Sequence, residues 1–431
     1  MPTSLSYPSL LEQPAATSAL HPQWFATAQA EAWQQFLATP APRRNDETWR
    51  FSTISQLDFA DFQRTGFHGD ASAWVEASTG VADAAATLVF VNDTLVHQSS
   101  HLPAEVICLP LAEALRSHPE LVKEYFMRHA TKLGSAKWAA LHAAHLTNGV
   151  FLYVPADVVL EHPVQIFHWA HGDRSTMLPH TLIVAEKGSA VRVIETFQST
   201  DDTSASLTIA VNDLVASEGA TLDYVVVQAL NEQSKVITIN ASDVEKQAKS
   251  TSFLLSTGAA WARSESISRL KGEEASSFML AVSVPTGDQE YDQRTFQHHI
   301  SAGAHSDLLY KNSLYGASRT IFSGLIFVDE GAHRTDAYQT CRNLLMTDTC
   351  EANSMPGLEI NADDVKCSHG STSSQISDEE IYYLRARGID AVTARQLIAR
   401  GFSIEVIERL GHEATEAYVL RFLDAKFATL R

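Results

Sequence analysis

Glycine falls at near-constant intervals through the middle of this chain. Gly258, Gly272, Gly287, Gly303, Gly316 and Gly331 are separated by 14, 15, 16, 13 and 15 residues. Around them run short stretches rich in Val, Ile, Leu, Phe and Thr, among them Val150 to Val154, Val164 to Trp169, Thr181 to Ala185, Thr221 to Val227, Val236 to Asn240 and Thr320 to Val328. These are strand signals. Several glycines stand in a Gly-Ala step, as in Gly219-Ala220, Gly303-Ala304, Gly316-Ala317 and Gly331-Ala332. The tract contains no Asn-Gly or Asp-Gly hairpin turn. A spacing near 15 without hairpin chemistry predicts a parallel β-solenoid in which glycine turns the chain at the corner of each coil. The competing reading is an antiparallel β-sandwich with longer loops.

A solenoid has open ends that need covering, and helical patterns flank this tract on both sides. After Pro22, Trp24, Ala28, Ala32 and Phe36 recur every four residues, and Pro40 and Pro42 end the run. Two more helical stretches follow, one after Pro119 with Leu121, Val122, Tyr125, Phe126 and Ala130 on one side, the other from about Ser135 to Leu146. Beyond the tract, Ser377 and Glu380 form a capping-box pattern ahead of Ile381, Tyr382 and Leu384. The division expected is a mostly helical region over 1–149, a β-solenoid over 150–376 and a helical domain over 377–431.

Composition narrows the function classes. The 431 residues carry 32 Lys+Arg against 51 Asp+Glu, a formal net charge of −19, which repels phosphate backbones and anionic lipids. Neither a nucleic acid nor a membrane is expected as a partner. The first basic residue is Arg43, no apolar run nears the roughly 18 residues of a membrane span, and the four cysteines do not form a secreted disulfide framework. A cytoplasmic location is the expectation.

No phosphate loop, dinucleotide fingerprint, His-Glu-x-x-His or Gly-x-Ser-x-Gly occurs. The chemistry that stands out is the segment from Cys341 through Cys350 to Cys367-Ser368-His369, which holds three of the four cysteines. Thiolate and imidazole are iron and zinc ligand types, and a Cys-x-His pair on a strand projects both side chains to one face. The spacing matches no zinc-finger or ferredoxin pattern. Buried cysteine acting as a small hydrophobe is the default alternative.

At this segment the residues resemble a known family. Arg342-Asn343-Leu344-Leu345, Leu358-Glu359-Ile360 and Ala362-Asp363-Asp364-Val365-Lys366-Cys367-Ser368-His369-Gly370 are similar to the signature of the SufD branch of the SufB/SufD scaffolds of the Suf iron-sulfur cluster assembly system. The likeness extends through Tyr383 to Gly388 and Val406 to Arg409. Upstream it takes in Asn148 to Pro155, Glu161 to Val164 and Arg43 to Arg50.

The resemblance implies a right-handed parallel β-helix flanked by helical regions and a non-catalytic role. It implies pairing with the paralogous scaffold SufB and docking of the SufC ATPase on the C-terminal helices. The cluster would form transiently at the scaffold interface, with no permanently bound cofactor. His369 becomes the candidate iron ligand there and Cys367 a second one. Cys350 falls where SufB carries its sulfur-accepting cysteine, which opens a SufB-like reading of this chain, whereas Gly370 stands where SufB has a functional glutamate. An exposed solenoid edge predicts a homodimer of the isolated chain. The alternative from another class is a β-solenoid carbohydrate-active enzyme, which needs two carboxylates about 5 to 10 Å apart across a cleft.

Overall fold

From Gly149 onward the strand signals become two parallel ladders. The structure, a computed structural model, describes residues 9–14, 20–128 and 131–430. One sheet runs from Thr94–Ser100 at one end to Lys366–Gln375 at the other, and the second from Ile107–Pro110 to Glu351–Ile360. Successive strands alternate between the two sheets, so each strand pairs in parallel with the strand one coil later: Thr221↔Lys249, Lys249↔Ser276 and Ser276↔His305 are registered partners 28, 27 and 29 residues apart. These ladders exclude the antiparallel sandwich.

The coil is therefore twice the glycine interval. Gly258, Gly287 and Gly316 mark one corner of the solenoid, and Gly272, Gly303 and Gly331 the other. Two different needs place all of them but Gly331 there. Gly316 adopts φ +70°, a left-handed conformation that side chains disfavour. At Gly272 a Cβ would lie 1.9 Å from the Lys246 backbone nitrogen, so the corner stacks too closely for any side chain. Beside this second corner, Ala220, Ala248, Ala275, Ala304 and Ala332 are buried one per coil. The Gly219-Ala220, Gly303-Ala304 and Gly331-Ala332 steps thus contribute an alanine that fills the angle between the sheets, whereas Ala317 at the first corner is exposed.

The interior is largely apolar in its N-terminal half, where Val154, Val193, Leu222, Val226 and Val236 belong to one cluster, around a buried polar knot in which Glu195 accepts from Thr181 Oγ1 at 2.9 Å and from Tyr224 OH and lies 2.7 Å from His168 Nε2. Amides enter it as stacked pairs. Asn212 donates to Asn240 at 2.5 Å, Asn312 to Asn343 at 2.9 Å, and Gln293 to Asn312 at 3.2 Å. Buried amides are tolerated because each meets a neighbour, Asn212 and Asn240 or Asn312 and Asn343 one coil apart, and Gln293 and Asn312 across the two sheets.

Both outer faces are covered. The helices Gln23–Ala38 and Ala136–His145 pack with Trp138 and Leu141 over Ile209, Ile237, Ile239 and Trp261 of the second sheet. The apolar stripe of the first helix is turned slightly from the expected one: Gln29, not Ala28, is buried, donating to Leu146 O at 2.8 Å. On the first sheet, Val406, Ile407, Tyr418, Leu423 and Phe427 of Ala391–Ile407 and Glu413–Thr429 cover Val225, Phe253, Leu255, Leu280 and Leu309. Among the ties that fix this helical unit, Thr196 Oγ1 bonds Tyr418 OH at 2.7 Å, the buried Lys311 donates to Phe402 O at 2.8 Å and to Glu405, and Arg409 pairs with Asp307 at 2.6 Å.

An ionic latch holds residues 48–53 to the second sheet. Arg263 pairs with Glu265 at 2.8 Å and with Asp292, and reaches Thr48 O at 2.9 Å. Arg294 pairs with Asp292 at 2.6 Å and donates to Arg50 O at 2.8 Å, while Ser52 also bonds Asp292. Arg263, Glu265, Asp292 and Arg294 are all buried, and the Arg263 guanidinium lies 3.7 Å from the Trp49 ring centre.

Residues 86–110 depart from the mostly helical expectation. Ala86–Val91 pairs in parallel with Val164–Ala170 and begins the first sheet's ladder, and Thr94–Ser100 returns antiparallel to it. Asn92 and Asp93 make the turn with φ of 45° and 62°, the double left-handed geometry of a tight hairpin. Of the helix expected after Pro119, Pro119–Tyr125 forms, and Ala130 lies outside the described residues.

Candidate functional site: the open last coil

Lys366–Gln375 and Glu351–Ile360 end their sheets, so the far edge of each presents unpaired backbone groups. Most of Lys366–Gln375 is exposed, and Lys366 is its one charged residue among Ser, Thr, Gly and other small or polar types. Natural edges are usually protected by charge, proline or a cover. Among the described residues, none of these protects 367–375.

Register determines what the strand presents. Ala337, Gln339, Cys341 and Asn343 are buried facing the interior, and their partners in the last strand are Cys367, His369, Ser371 and Ser373. These four share the interior-facing side at the solenoid mouth, and Asn343 Nδ2 reaches Ser373 Oγ at 3.2 Å. Cys367 and His369 lie two residues apart, roughly 7 Å along the strand.

Their surroundings differ. His369 is exposed, whereas Cys367 is half-buried against the cluster of Ile326, Val328, Ala332 and Ala337, and burial raises its thiol pKa. Cys341, one layer deeper, is fully buried and pushed up to about 12, with Ser354 Oγ 3.8 Å from its sulfur. Its environment suits packing rather than ligation. Among the described residues, no group of three or more His, Cys, Asp or Glu is arranged to hold a metal ion. The mouth offers an imidazole and a thiol, half of a four-coordinate set.

Cys350 is not part of this arrangement. It precedes Glu351–Ile360 at the opposite corner, where its Sγ donates to Thr347 O at 3.0 Å and its neighbour Asp348 accepts from Gln375 at 2.9 Å. Gln375 is six residues beyond His369, roughly 20 Å at the rise of a strand. Cys108 is buried in Ile107–Pro110 and pushed up to about 12 by desolvation.

Beyond the mouth, Ser377 caps Asp378–Arg385 with the full capping box: its Oγ accepts from Glu380 N at 3.2 Å, and its N donates to Glu380 Oε2 at 3.0 Å. Tyr382 is 73% and Tyr383 57% exposed on this helix. Apolar rings this open are a feature of contact surfaces.

Sequence reading missed Gln339 and gave Asn343 only within the Arg342-Asn343-Leu344-Leu345 motif, not as part of the polar row beneath the mouth. The alternation Gln339, Cys341, Asn343 carries that signal, but only once the strand and its inward face are known.

Residues 168–402 match the family described as "SUF system FeS cluster assembly, SufBD core domain", and residues 3–166 match "SufBD protein N-terminal region". The chain is 26% identical over 421 residues to the iron-sulfur cluster assembly protein SufD of Bacillus subtilis, covering 94% of each chain. It is 30% identical over 410 residues to SufD of Escherichia coli, covering 90% of this chain and 89% of that one. An iron-sulfur cluster assembly SufBD family protein of Synechocystis is 26% identical over 382 residues, covering 86% of this chain and 84% of its own.

Proposed function

Since the chain belongs to the SufBD family, of the SufD type, whose members are non-catalytic scaffolds of iron-sulfur cluster assembly, we propose that it works as one half of a paired scaffold. Its open last coil meets the last coil of a SufB-type partner by strand addition. The nascent cluster, the cargo of the assembly, takes His369 as a ligand from this chain, with Cys367 as a second donor. The partner supplies the rest.

The observation that carries this reading is the incomplete site: an imidazole and a thiol on one face of an uncovered edge strand. Few and exchangeable ligands from each chain suit a cluster that must leave after assembly. The exposed Tyr382 and Tyr383 support docking of a SufC-type ATPase on the C-terminal helices. The −19 charge argues against nucleic acid or anionic membrane as partner, and among the described residues no helix is long and apolar enough to cross a membrane. A cytoplasmic location accords with this role.

The deciding experiment is anaerobic reconstitution of the complex of this chain with its scaffold and ATPase partners, using ferrous iron and sulfide and read by visible absorbance. His369→Ala should lower cluster yield while the complex still assembles on a sizing column. Wild-type yield would remove His369 from the site. Light scattering of the isolated chain should show a dimer paired through the same edge, and a monomer at all concentrations would count against edge pairing. Cys350→Ser, far from the mouth, should leave the yield unchanged.

A further inference from the structure

The residue registered beneath His369 is Gln339, and its amide orientation is dictated by the network below it. Gln297 Nε2 donates to Ser306 Oγ at 2.8 Å and to the main-chain Tyr338 O at 3.2 Å. A carbonyl can only accept, so the nitrogen of Gln297 faces Tyr338, and its oxygen is left to face Gln339. Gln339 must therefore meet it with nitrogen, and its Nε2 donates to Gln297 Oε1 at 3.3 Å.

Gly324 in the facing sheet makes room for this amide. A Cβ there would fall 2.3 Å from Gln339 Nε2. The nitrogen end of Gln339 is thus fixed from below, and its Oε1 is left buried with no hydrogen-bond partner among the described residues. Buried carbonyl oxygens are rarely left so. The next residue in its inward row, one strand spacing or about 4.8 Å away, is His369.

Histidines that ligate a metal through one ring nitrogen almost always donate the N–H of the other to a carbonyl, carboxylate or water, which fixes tautomer and ring orientation. We propose that Gln339 is the positioning residue for His369: its waiting Oε1 accepts the second ring N–H when the first nitrogen takes iron. The inference rests on the reading of His369 as a ligand. It adds that this scaffold controls how firmly the imidazole holds, because the chain Ser306–Gln297–Gln339 fixes which end of the amide faces the mouth.

The test uses the assembled complex loaded with its cluster. Gln339→Met keeps length and removes the acceptor; Gln339→Glu, its carboxyl held neutral by burial, keeps an acceptor oxygen and gives an O–H to Gln297 Oε1. Iron loss to an excess of chelator is timed. Pulsed EPR with 15N-labelled histidine reads the nitrogen coupling of the reduced cluster, and the melting temperature of the full chain checks the fold. Gln339→Met should release iron 10- to 100-fold faster with an altered coupling, and Gln339→Glu should restore slow release. If Gln339→Met melts early, Gln339→Asn, which withdraws the oxygen by one methylene, takes its place with the same expectation.

Wild-type release and coupling in the acceptor-deleted variants would overturn the proposal, as would equally fast release from Gln339→Glu with its fold intact. The His369→Ala control separates the two ideas. If it forms normal clusters, the ligand reading itself fails. If it loses them while Gln339→Met behaves as wild type, His369 stands and Gln339 alone is removed.

Discussion

Replacing Asp292 by alanine removes the carboxylate on which two buried guanidiniums converge. Arg263 loses one of its two carboxylate partners but keeps Glu265 at 2.8 Å, along with Thr48 O and Leu133 O. Arg294, 3% exposed, loses the carboxylate that its Nε contacts at 2.6 Å and retains Arg50 O. One partner of a buried ion pair left alone costs about 3–5 kcal/mol, a large share of a total stability of about 5–15 kcal/mol. The cost falls first on residues 48–53, because Ser52 loses Asp292 and the Arg50 carbonyl is held only by a guanidinium that now lacks its counter-charge. Urea unfolding followed by tryptophan fluorescence is the assay, since Trp49 stacks on Arg263 and Trp261 donates to Glu290 beside the latch. An early step in the Trp signal and faster proteolysis near residue 50 are expected. Adding Arg294→Met should recover most of the loss by removing the orphaned charge. A loss under about 1 kcal/mol would mean that water screens the latch like a surface pair, and would refute the reasoning.

Acid should weaken the fold before its carboxylates titrate. Burial foremost pushes His142 down to about 3, His145 to about 4 and His299 to about 3. The unfolded chain binds protons at these positions near pH 6.5 while the native chain does not, so stability is full above that pH and falls as pH drops toward 4. The slope is about 1.4 kcal/mol per pH unit for each histidine, and urea midpoints at pH 7, 6 and 5 measure it; a flat profile would contradict the burial argument. Asp201, held at about 2 by the amides of Ser204 and Thr203, adds its loss only below pH 4. Gly272→Ala should cost about 1–3 kcal/mol or more in thermal unfolding, because its Cβ meets backbone at 1.9 Å, whereas Gly331→Ala, with nothing within 4 Å, should stay within about 0.5 kcal/mol. Tyr382→Ser with Tyr383→Ser should weaken capture of the ATPase partner at least 10-fold while leaving the melting temperature unchanged, and equal capture in a pull-down would move the docking surface elsewhere.

The solenoid was legible because its corners are written in residues with few alternatives. Glycine at a crowded or left-handed corner is a steric requirement, and its spacing survives whatever the strands between carry. The same spacing hid the true repeat, since a two-sheet coil has two corners and a periodicity count sees only the interval. Helix starts were legible where a side chain meets the backbone locally, as Ser377 and Glu380 do. The hairpin of residues 86–100 escaped because its turn is Asn92-Asp93 rather than Asn-Gly, within a region already assigned to helices. At the site, Cys367 and His369 could be paired from period-two geometry alone. That Cys350 lies a strand length away, or that Gln339 lies under His369, depends on register across coils, which is a tertiary fact and leaves no local trace.

The helical unit also acts as a ruler. Two of its ties reach strands Ala190–Ser199 and His305–Leu314, four ladder steps apart in one sheet, or about 19 Å at about 4.8 Å per step. A solenoid changes length only by whole coils, whereas a helix grows by 1.5 Å per residue. A coil gained or lost between Thr196 and Lys311 would move one tie by a full step and leave the rigid helices unable to meet both. Between those strands, the number of coils is therefore set by the helices that span them.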